Sequence, residues 1–536
     1  MGRFRRLLPG SLVLLLGLGS YWLVNREAAA PPPTARKVVR ATPPPPEEAP
    51  PPPAKSGVRD EFADGTTIEI FGSCRPEELI LRFPTSQSFD SFIATLEKGG
   101  VRLIDRLDRL RAMRVGGSAA EMAILGRLFE EEKITVYKSL AEPPKPLPAT
   151  GGAQRGNALG FGAEVLEWLG VTGDNSRWGS GVKVAVLDSG VVPHPGLPRN
   201  FRSIEIFPGD PKNIHLHGTA MASLIVGTSP MARGLAPAVD LISVRVLDNS
   251  GTSDAYAIAA GVLAAMDAGA EILNLSLGTE EDCPLLGEAI QMAQEAGIVV
   301  VASSGNEGLQ ATRYPAAYPG VIAVGAIDAS AERMAFSNLG TGLGIAAPGF
   351  GVNAAAPGDR YVSISGTSAS APLVAAAIAA TMSNGSGYRL TAREAAKIVL
   401  ANADDEGAPG LDSEYGSGVL NMDRIMNRQV RGRYDAAITC MRVLPGNGPG
   451  RQQQVEVTVQ NRGTETLINS LVVITTPAGA TTINATTIPP GAIQSFTAPF
   501  GSNGNGDQGI SATVTLSQGI DLTPDNNRRD AVWTSL

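Results

Sequence analysis

The sequence predicts an α/β protein: a parallel sheet flanked by helices, preceded by a small α+β unit and followed by an all-β sandwich. Three observations carry this. Between about 160 and 425, short strands apolar on both faces alternate with Ala-rich helical stretches, the pattern of a parallel sheet covered on both sides. From about 67 to 141 the order of elements reads βαββαβ. Beyond about 431 helical periodicity stops, and alternating segments separated by Gly, Pro and Asn turns take over. Of the 536 residues 43% are hydrophobic, which excludes global disorder, and the net charge of −8 argues against a general nucleic-acid binder. Three cysteines, Cys74, Cys283 and Cys440, are too few for a disulfide framework or a four-thiolate zinc site.

Taken in order, Arg3, Arg5 and Arg6 precede an apolar run over 7–24, so residues 1–26 read as an export signal or a membrane anchor, with Ala28 and Ala30 offering a cleavage site. Residues 27–66 form a Pro-rich linker whose blocks at 31–33, 43–46 and 50–53 exclude a helix or a ladder and indicate an extended spacer. Within 67–141, strands are expected at 78–84, around a turn in 101–114, and at 134–140. Helices are expected at 86–98, where Phe89, Phe92, Ile93 and Leu96 share a face, and at 119–132. That order suits a two-layer, ferredoxin-like fold. Residues 142–156 read as an exposed connector. The domain over 157–430 has strands expected at 182–187, 241–246, 272–277, 298–302 and 321–324. The tail over 431–536 has strands expected at 452–460, 471–475 and 510–516.

In open parallel sheets the reacting groups lie at the carboxyl ends of strands. One such end delivers Asp188 in Val184-Ala185-Val186-Leu187-Asp188-Ser189-Gly190. A second segment, His217-Gly218-Thr219, opens a small-residue helix, and the chain's three histidines (His194, His215, His217) fall within 24 residues. A third, Ser365-Gly366-Thr367-Ser368-Ala369-Ser370-Ala371-Pro372, turns into an Ala-rich helix. A hydroxyl nucleophile needs a neighbouring base, and the base an orienting acceptor. Placing Ser368 at a helix N-terminus adds a free N–H and the positive end of the macrodipole. Ser304-Gly305-Asn306 offers an amide as a second donor to a developing oxyanion.

These four segments, in the order Asp, His, Asn, Ser and spaced by 29, 89 and 62 residues, resemble the subtilisin-like (subtilase, S8-type) serine endopeptidases. Gly234-Leu235-Ala236-Pro237 and Tyr415-Gly416-Ser417-Gly418-Val419-Leu420-Asn421 are similar to flanking motifs of that family. The resemblance implies a subtilisin-like sheet with Ser368 as nucleophile, His217 as general base and acid, Asp188 as orienting carboxylate, and Asn306 with the Ser368 N–H as oxyanion hole. It implies that an extended substrate lies between Gly251, Thr252 and Ser253 on one side and Leu275, Ser276, Leu277 and Gly278 on the other. The second group resembles the primary pocket wall, and its small residues predict a broad, apolar-tolerant pocket. Departures from the family pattern are Leu216 before the candidate base and Ala220 in place of a second His. His215 and His194 are expected to serve packing or surface roles, and Cys283 to be an ordinary thiol, since no His remains for it.

With a protease in the middle, the 67–141 unit resembles an inhibitor-type propeptide, cut autocatalytically near 142–156, and the tail resembles a CARDB-like immunoglobulin-type domain. The expected partners are protein or peptide substrates, the propeptide itself, and a membrane through the N-terminal segment; nucleic acid is not among them. No cofactor is required for the chemistry. The resemblance leaves a structural calcium possible but unsupported, because the loop after His217 lacks the Asn-rich segment that serves such a site in many relatives, and the metal ligands are unknown. The expected location is extracellular or in the cell envelope. Two rival readings remain: an inactive surface-binding protein using its tail, whose mark would be the loss of a triad residue, and an acyl transferase using the same site.

Overall fold

The computed structural model describes residues 37–40, 58–61, 67–70, 78–99, 101–117, 135–137, 158–207, 214–384, 389–445, 452–501 and 507–534. The expected signal or anchor, the connector over 142–156, the helix over 119–132 and Cys74 lie outside them. Among the described residues no helix is long and apolar enough to cross a membrane.

The N-terminal body consists of β1 (Glu78–Arg82), α1 (Ser86–Gly99), β2 (Arg102–Leu107), β3 (Ala112–Gly116) and β4 (Thr135–Tyr137). Its antiparallel sheet runs β2-β3-β1-β4, the order expected of a ferredoxin-like unit. Strand alternation sends Leu79, Leu81, Met113 and Val115 toward Phe89, Phe92 and Leu96 of the helix. Ile80 and Ala112, on the opposite face, join a core shared with the central domain.

The central domain holds a seven-stranded sheet in the order β11-β10-β9-β8-β5-β7-β6, parallel throughout. Its strands are β5 (Lys183–Asp188), β6 (Arg202–Glu205), β7 (Asp240–Arg245), β8 (Ile272–Leu275), β9 (Val299–Ser303), β10 (Ile322–Ile327) and β11 (Leu343–Pro348). Four helices carry the argument: α2 (His217–Val226), α3 (Ala255–Asp267), α4 (Pro284–Glu295) and α5 (Thr367–Ser383). Alternation again sorts the faces. Val184, Val186, Val299 and Val301 pack with α2 and α5. Ala185, Leu187, Val300 and Ala302 pack with α3 and α4. After β5 the chain builds β6 and β7 on one side, then crosses to β8 on the other. Asp188 therefore ends the strand at the topological switch point, where such sheets open a crevice.

The C-terminal body is a sandwich. One sheet orders β12 (Ala436–Leu444), β13 (Gln454–Asn461) and β16 (Ile493–Pro499); the other contains β14 (Leu467–Thr476), β15 (Gly479–Ile488), β17 (Asp507–Thr515) and β18 (Arg528–Thr534). An acidic hook joins it to the central domain, as does the ion pair of Arg433 with Asp423. Asp405 N–H donates to Gln460 Oε1 at 3.0 Å and Asp405 Oδ2 accepts from Thr439 Oγ1 at 2.9 Å. Arg462 lies 3.2 Å from Asp404, and Arg529 lies 3.1 Å from Glu406.

The linker expected over 27–66 departs from a bare spacer. Lys37–Arg40, a Pro-free stretch with two β-branched valines between the first two Pro blocks, pairs in parallel with Ala531–Thr534. Val58–Glu61 pairs with Thr67–Ile70, so a boundary at 66 would divide a hairpin.

Candidate active site

The site is assembled where strands end and helices begin. Asp188 closes β5 with its side chain only 1% exposed. The Asp188-Ser189-Gly190 turn and the His217-Gly218 helix start are fastened together: Ser189 Oγ donates to the His215 carbonyl at 2.8 Å and accepts from Gly218 N–H at 2.9 Å. A Cβ on Gly218 would stand 2.4 Å from the Gly190 carbonyl oxygen, so only glycine lets the two segments approach this closely. The contact delivers His217 Nδ1 to both carboxylate oxygens of Asp188, at 2.9 and 2.8 Å. Burial disfavours the imidazolium, but the Asp188 charge and hydrogen bond outweigh it and hold the His217 pKa above the ordinary histidine value. Ser189 N–H donates to Asp188 Oδ1 at 2.7 Å, a second bond that fixes the carboxylate.

Ser368 is the second residue of α5, 6% exposed, after the left-handed Gly366. The helix contains Pro372, four residues on, which has no N–H to give to the Ser368 carbonyl. That oxygen accepts instead from Ser276 Oγ at 2.9 Å, while Ser368 Oγ points at the Ser276 carbonyl at 3.3 Å. The proline of the Ser-Ala-Pro motif thus frees one acceptor, and the freed acceptor fastens the helix tip to the segment after β8. Across from it, Asn306 Oδ1 accepts from both Thr367 N–H and Thr367 Oγ1, each at 2.9 Å. With its oxygen so held, the Asn306 amide has its Nδ2 free to donate on the Gly366 side, where a Cβ on Gly366 would stand 3.2 Å from it.

The remaining residues sort into three groups. Both main-chain groups of Thr252 are taken by Asp248: its N–H reaches the Asp248 carboxylate at 2.9 Å, and its carbonyl accepts from Asp248 N–H at 2.8 Å. Gly251 faces the His215 ring, and Ser253 Oγ is held by the Val246 carbonyl at 2.5 Å. His194 is engaged in packing, accepting from Gly196 N–H at 3.0 Å and stacked edge-on to Tyr361. His215 lies with its ring 6.4 Å from that of His217, and burial, then the His217 charge, push its pKa down. Cys283 is buried at the start of α4, and burial pushes its thiol up to about 11, so it stays neutral. Among the described residues no group of three or more His, Cys, Asp or Glu could hold a metal ion.

Sequence reasoning assigned no role to Ser189, Thr367 or Pro372, although each lies inside a motif quoted above. It also passed over Glu307, Arg313 and Asn338, which carry no motif. Glu307 Oε2 accepts from Asn306 N–H at 3.1 Å, Arg313 Nε at 3.1 Å and Asn338 Nδ2 at 2.9 Å. Burial raises this carboxyl, but the bonds from Arg313 and Asn338 hold it below the usual range.

Comparison with known proteins matches this region. The family model described as peptidase S8, subtilase family, covers residues 179–418. Subtilisin Savinase of Lederbergia lenta is 40% identical over 252 residues, 46% of this chain and 90% of that protein. This chain belongs to the subtilase family. The thermostable alkaline protease of Halalkalibacterium halodurans is 37% identical over 251 residues, 46% of this chain and 68% of that protein. The solved structure of prenylagaramide maturation protease PagA aligns with a TM-score of 0.43 at 29% identity, over 49% of this chain and 97% of that one. The subtilase is a serine endopeptidase with a parallel sheet flanked by helices and further all-β sheets in its C-terminal region. Members of the family need no cofactor for catalysis.

Proposed function

We propose that this subtilase is made as an exported zymogen and hydrolyses peptide bonds through an acyl-enzyme on Ser368. The observation that carries the reading is the two-oxygen grip of Asp188 on His217 Nδ1, which leaves Nε2 as the free basic nitrogen. As Ser368 Oγ bonds to the scissile carbonyl carbon, its proton passes to Nε2, and Asp188 stabilises the imidazolium. The negative charge moves to the carbonyl oxygen, where the Asn306 amide and the Ser368 N–H at the helix start donate to it. Collapse breaks the C–N bond and the leaving amine takes the proton from His217; water then repeats the sequence on the acyl-enzyme. An extended substrate would pair with the Gly251 carbonyl and with Ser253 on one side and with 275–278 on the other, because Thr252 has both main-chain groups engaged and Gly251 N–H donates to the Asp248 carbonyl at 3.0 Å.

The N-terminal body acts as the propeptide in this reading, cut within 142–156. Its support is the buried face it shares with α3 and α4, joined by the ion pairs Arg114–Asp254, Arg82–Glu288 and Arg109–Asp267, the last at 2.8 Å. The sandwich, CARDB-like in sequence, is a fixed companion of the protease, and the Arg462 and Arg529 contacts support that role. Full-length wild type and Ser368→Ala, expressed side by side, test the proposal by mass analysis and a casein or fluorogenic-peptide assay. Wild type is expected to shorten near 142–156 and cleave peptide, and Ser368→Ala to do neither; identical behaviour of the two overturns the reading.

A further inference from the structure

The segments that reach Ser368 from either side also define where the residue before the scissile bond must put its side chain. Ser276 is bonded to Ser368, and Asn306 to Thr367. A carbonyl carbon at Ser368 Oγ with its oxygen toward Asn306 therefore directs the adjoining side chain into the slot between 276–278 and 305–306. One segment closes the back of that slot. Arg313 N–H donates to the Ser304 carbonyl at 2.9 Å, and Tyr314 exchanges main-chain bonds with Thr279 at 2.7 and 3.1 Å.

From that back wall the Arg313 side chain runs through the slot itself. A Cβ on Gly278 would stand 3.0 Å from Arg313 Cβ, and a Cβ on Gly305 would stand 2.8 Å from Arg313 Cγ. The stem thus lies between the two walls, touching a glycine on each. Its head is tied at both edges, with Nη2 2.7 Å from Glu280 and Nε 3.1 Å from Glu307, and the side chain is 13% exposed. Asn338 holds Glu307 from behind at 2.9 Å. The Glu307 contact, on a carboxylate 24% exposed, is the one that fixes the guanidinium plane; Glu280, 62% exposed, adds a weaker, solvent-screened tie.

We propose that Arg313 is the specificity-determining residue of this pocket: clamped by Glu280 and Glu307, it fills the slot and restricts the residue before the scissile bond to small side chains such as Ala, Ser and Gly. The two glutamates outnumber the one arginine, so the slot does not attract an acidic side chain. The pocket is narrower than the small-residue wall at 275–278 alone predicts. The inference rests on the reading that Ser368 is the nucleophile and deepens it by naming the substrate class.

The test uses the full chain after it has processed itself, with active sites counted by a fluorophosphonate probe. Peptide p-nitroanilides of the series succinyl-Ala-Ala-Pro-X are compared with X as Ala, Phe, Lys and Glu. Wild type is expected to favour Ala over Phe by about tenfold or more in kcat/KM. In Arg313→Gly, or in Arg313→Ser where glycine impairs folding, the Phe-to-Ala ratio is expected to rise by about tenfold or more. Wild type that takes Phe as readily as Ala overturns the proposal, as does a preference for Glu or a probe-labelled variant with an unchanged ratio. Failure of the probe to label wild type is a different result, and it removes the Ser368 reading itself.

Discussion

Arg114 on β3 turns its guanidinium onto the carboxylate of Asp254, a residue 140 positions later in the chain and the N-cap of α3. The pair is nearly dry, with side chains 10% and 5% exposed, and the guanidinium also lies 4.7 Å from the centre of the Tyr256 ring. A buried charge deprived of its partner is costly, on the order of 3–5 kcal/mol. Arg114→Met, made in a Ser368→Ala background so that the chain stays whole, is therefore expected to lower the denaturant midpoint of the N-terminal body markedly. Glu78→Gln is expected to cost under about 1 kcal/mol, because Glu78 sits 3.9 Å from Arg114 and is 30% exposed. Urea unfolding of the two variants checks the ranking.

The Asp188–His217 pair makes activity and pairing strength run in opposite directions with pH. Proton transfer requires neutral His217, whose pKa stands above 6.5. Thus kcat/KM is expected to fall as pH drops through that raised value. The stabilisation from the ion pair has the reverse sense: it is fully present below the unfolded value and is lost as pH rises through the folded one. Asp188→Asn should lower kcat by about 10⁴-fold, as removal of the orienting carboxylate does in serine protease triads. His215→Asn should leave the acid limb nearly in place, since burial and Asp188, not His215, set the direction of the His217 shift. A pH–rate profile of the three proteins decides the matter.

Asn306→Ala removes the proposed oxyanion donor and should lower kcat by roughly 10²–10³-fold with little change in KM, the magnitude known for this donor in subtilisin. Thr367→Ala leaves the amide in place but deletes one of the two bonds orienting it. At about 1 kcal/mol for such a bond, a loss of roughly fivefold is expected. Steady-state kinetics on one peptide substrate distinguishes the two sizes of effect.

The hook at Asp404, Asp405 and Glu406 predicts coupled unfolding. Arg462→Ala with Arg529→Ala leaves Asp404 and Glu406, each 15% exposed, without their partners from the sandwich. In the Ser368→Ala background the central domain and sandwich should melt together in the parent and separately in the double variant. Calorimetry that finds one unchanged transition in both would contradict this.

Much of the site was legible because its chemistry is written in short local strings. Asp188 ends a strand and His217 and Ser368 open helices that periodicity locates, while Asn306 follows three residues after β9; the structure joins Asp188 to His217 and Asn306 to the start of α5. The strands expected at 182–187 and 241–246 appear as Lys183–Asp188 and Asp240–Arg245. What escaped is long-range. Arg313 reads as one charge in a loop until Arg313 and Tyr314 fold back onto Ser304 and Thr279. Arg114 reads as a polar position of an amphipathic strand until Asp254 is set opposite it. Asp404, Asp405 and Glu406 are three acidic residues in a row in the sequence, and their partners are long-range: Arg424 of the central domain with Arg462 for Asp404, Thr439 for Asp405 and Arg529 for Glu406.

Helix α5 is buried along nearly its whole length and is made largely of alanine, and α2 packs beside it on the same face of the sheet. His217 is the first residue of one rod and Ser368 the second residue of the other. The spacing between the proposed base and the proposed nucleophile is thus a mechanical quantity, set by the thickness of methyl groups along a seam. A single added methylene deep in that seam would act as a shim, moving the reacting atoms while leaving every polar contact of the site intact.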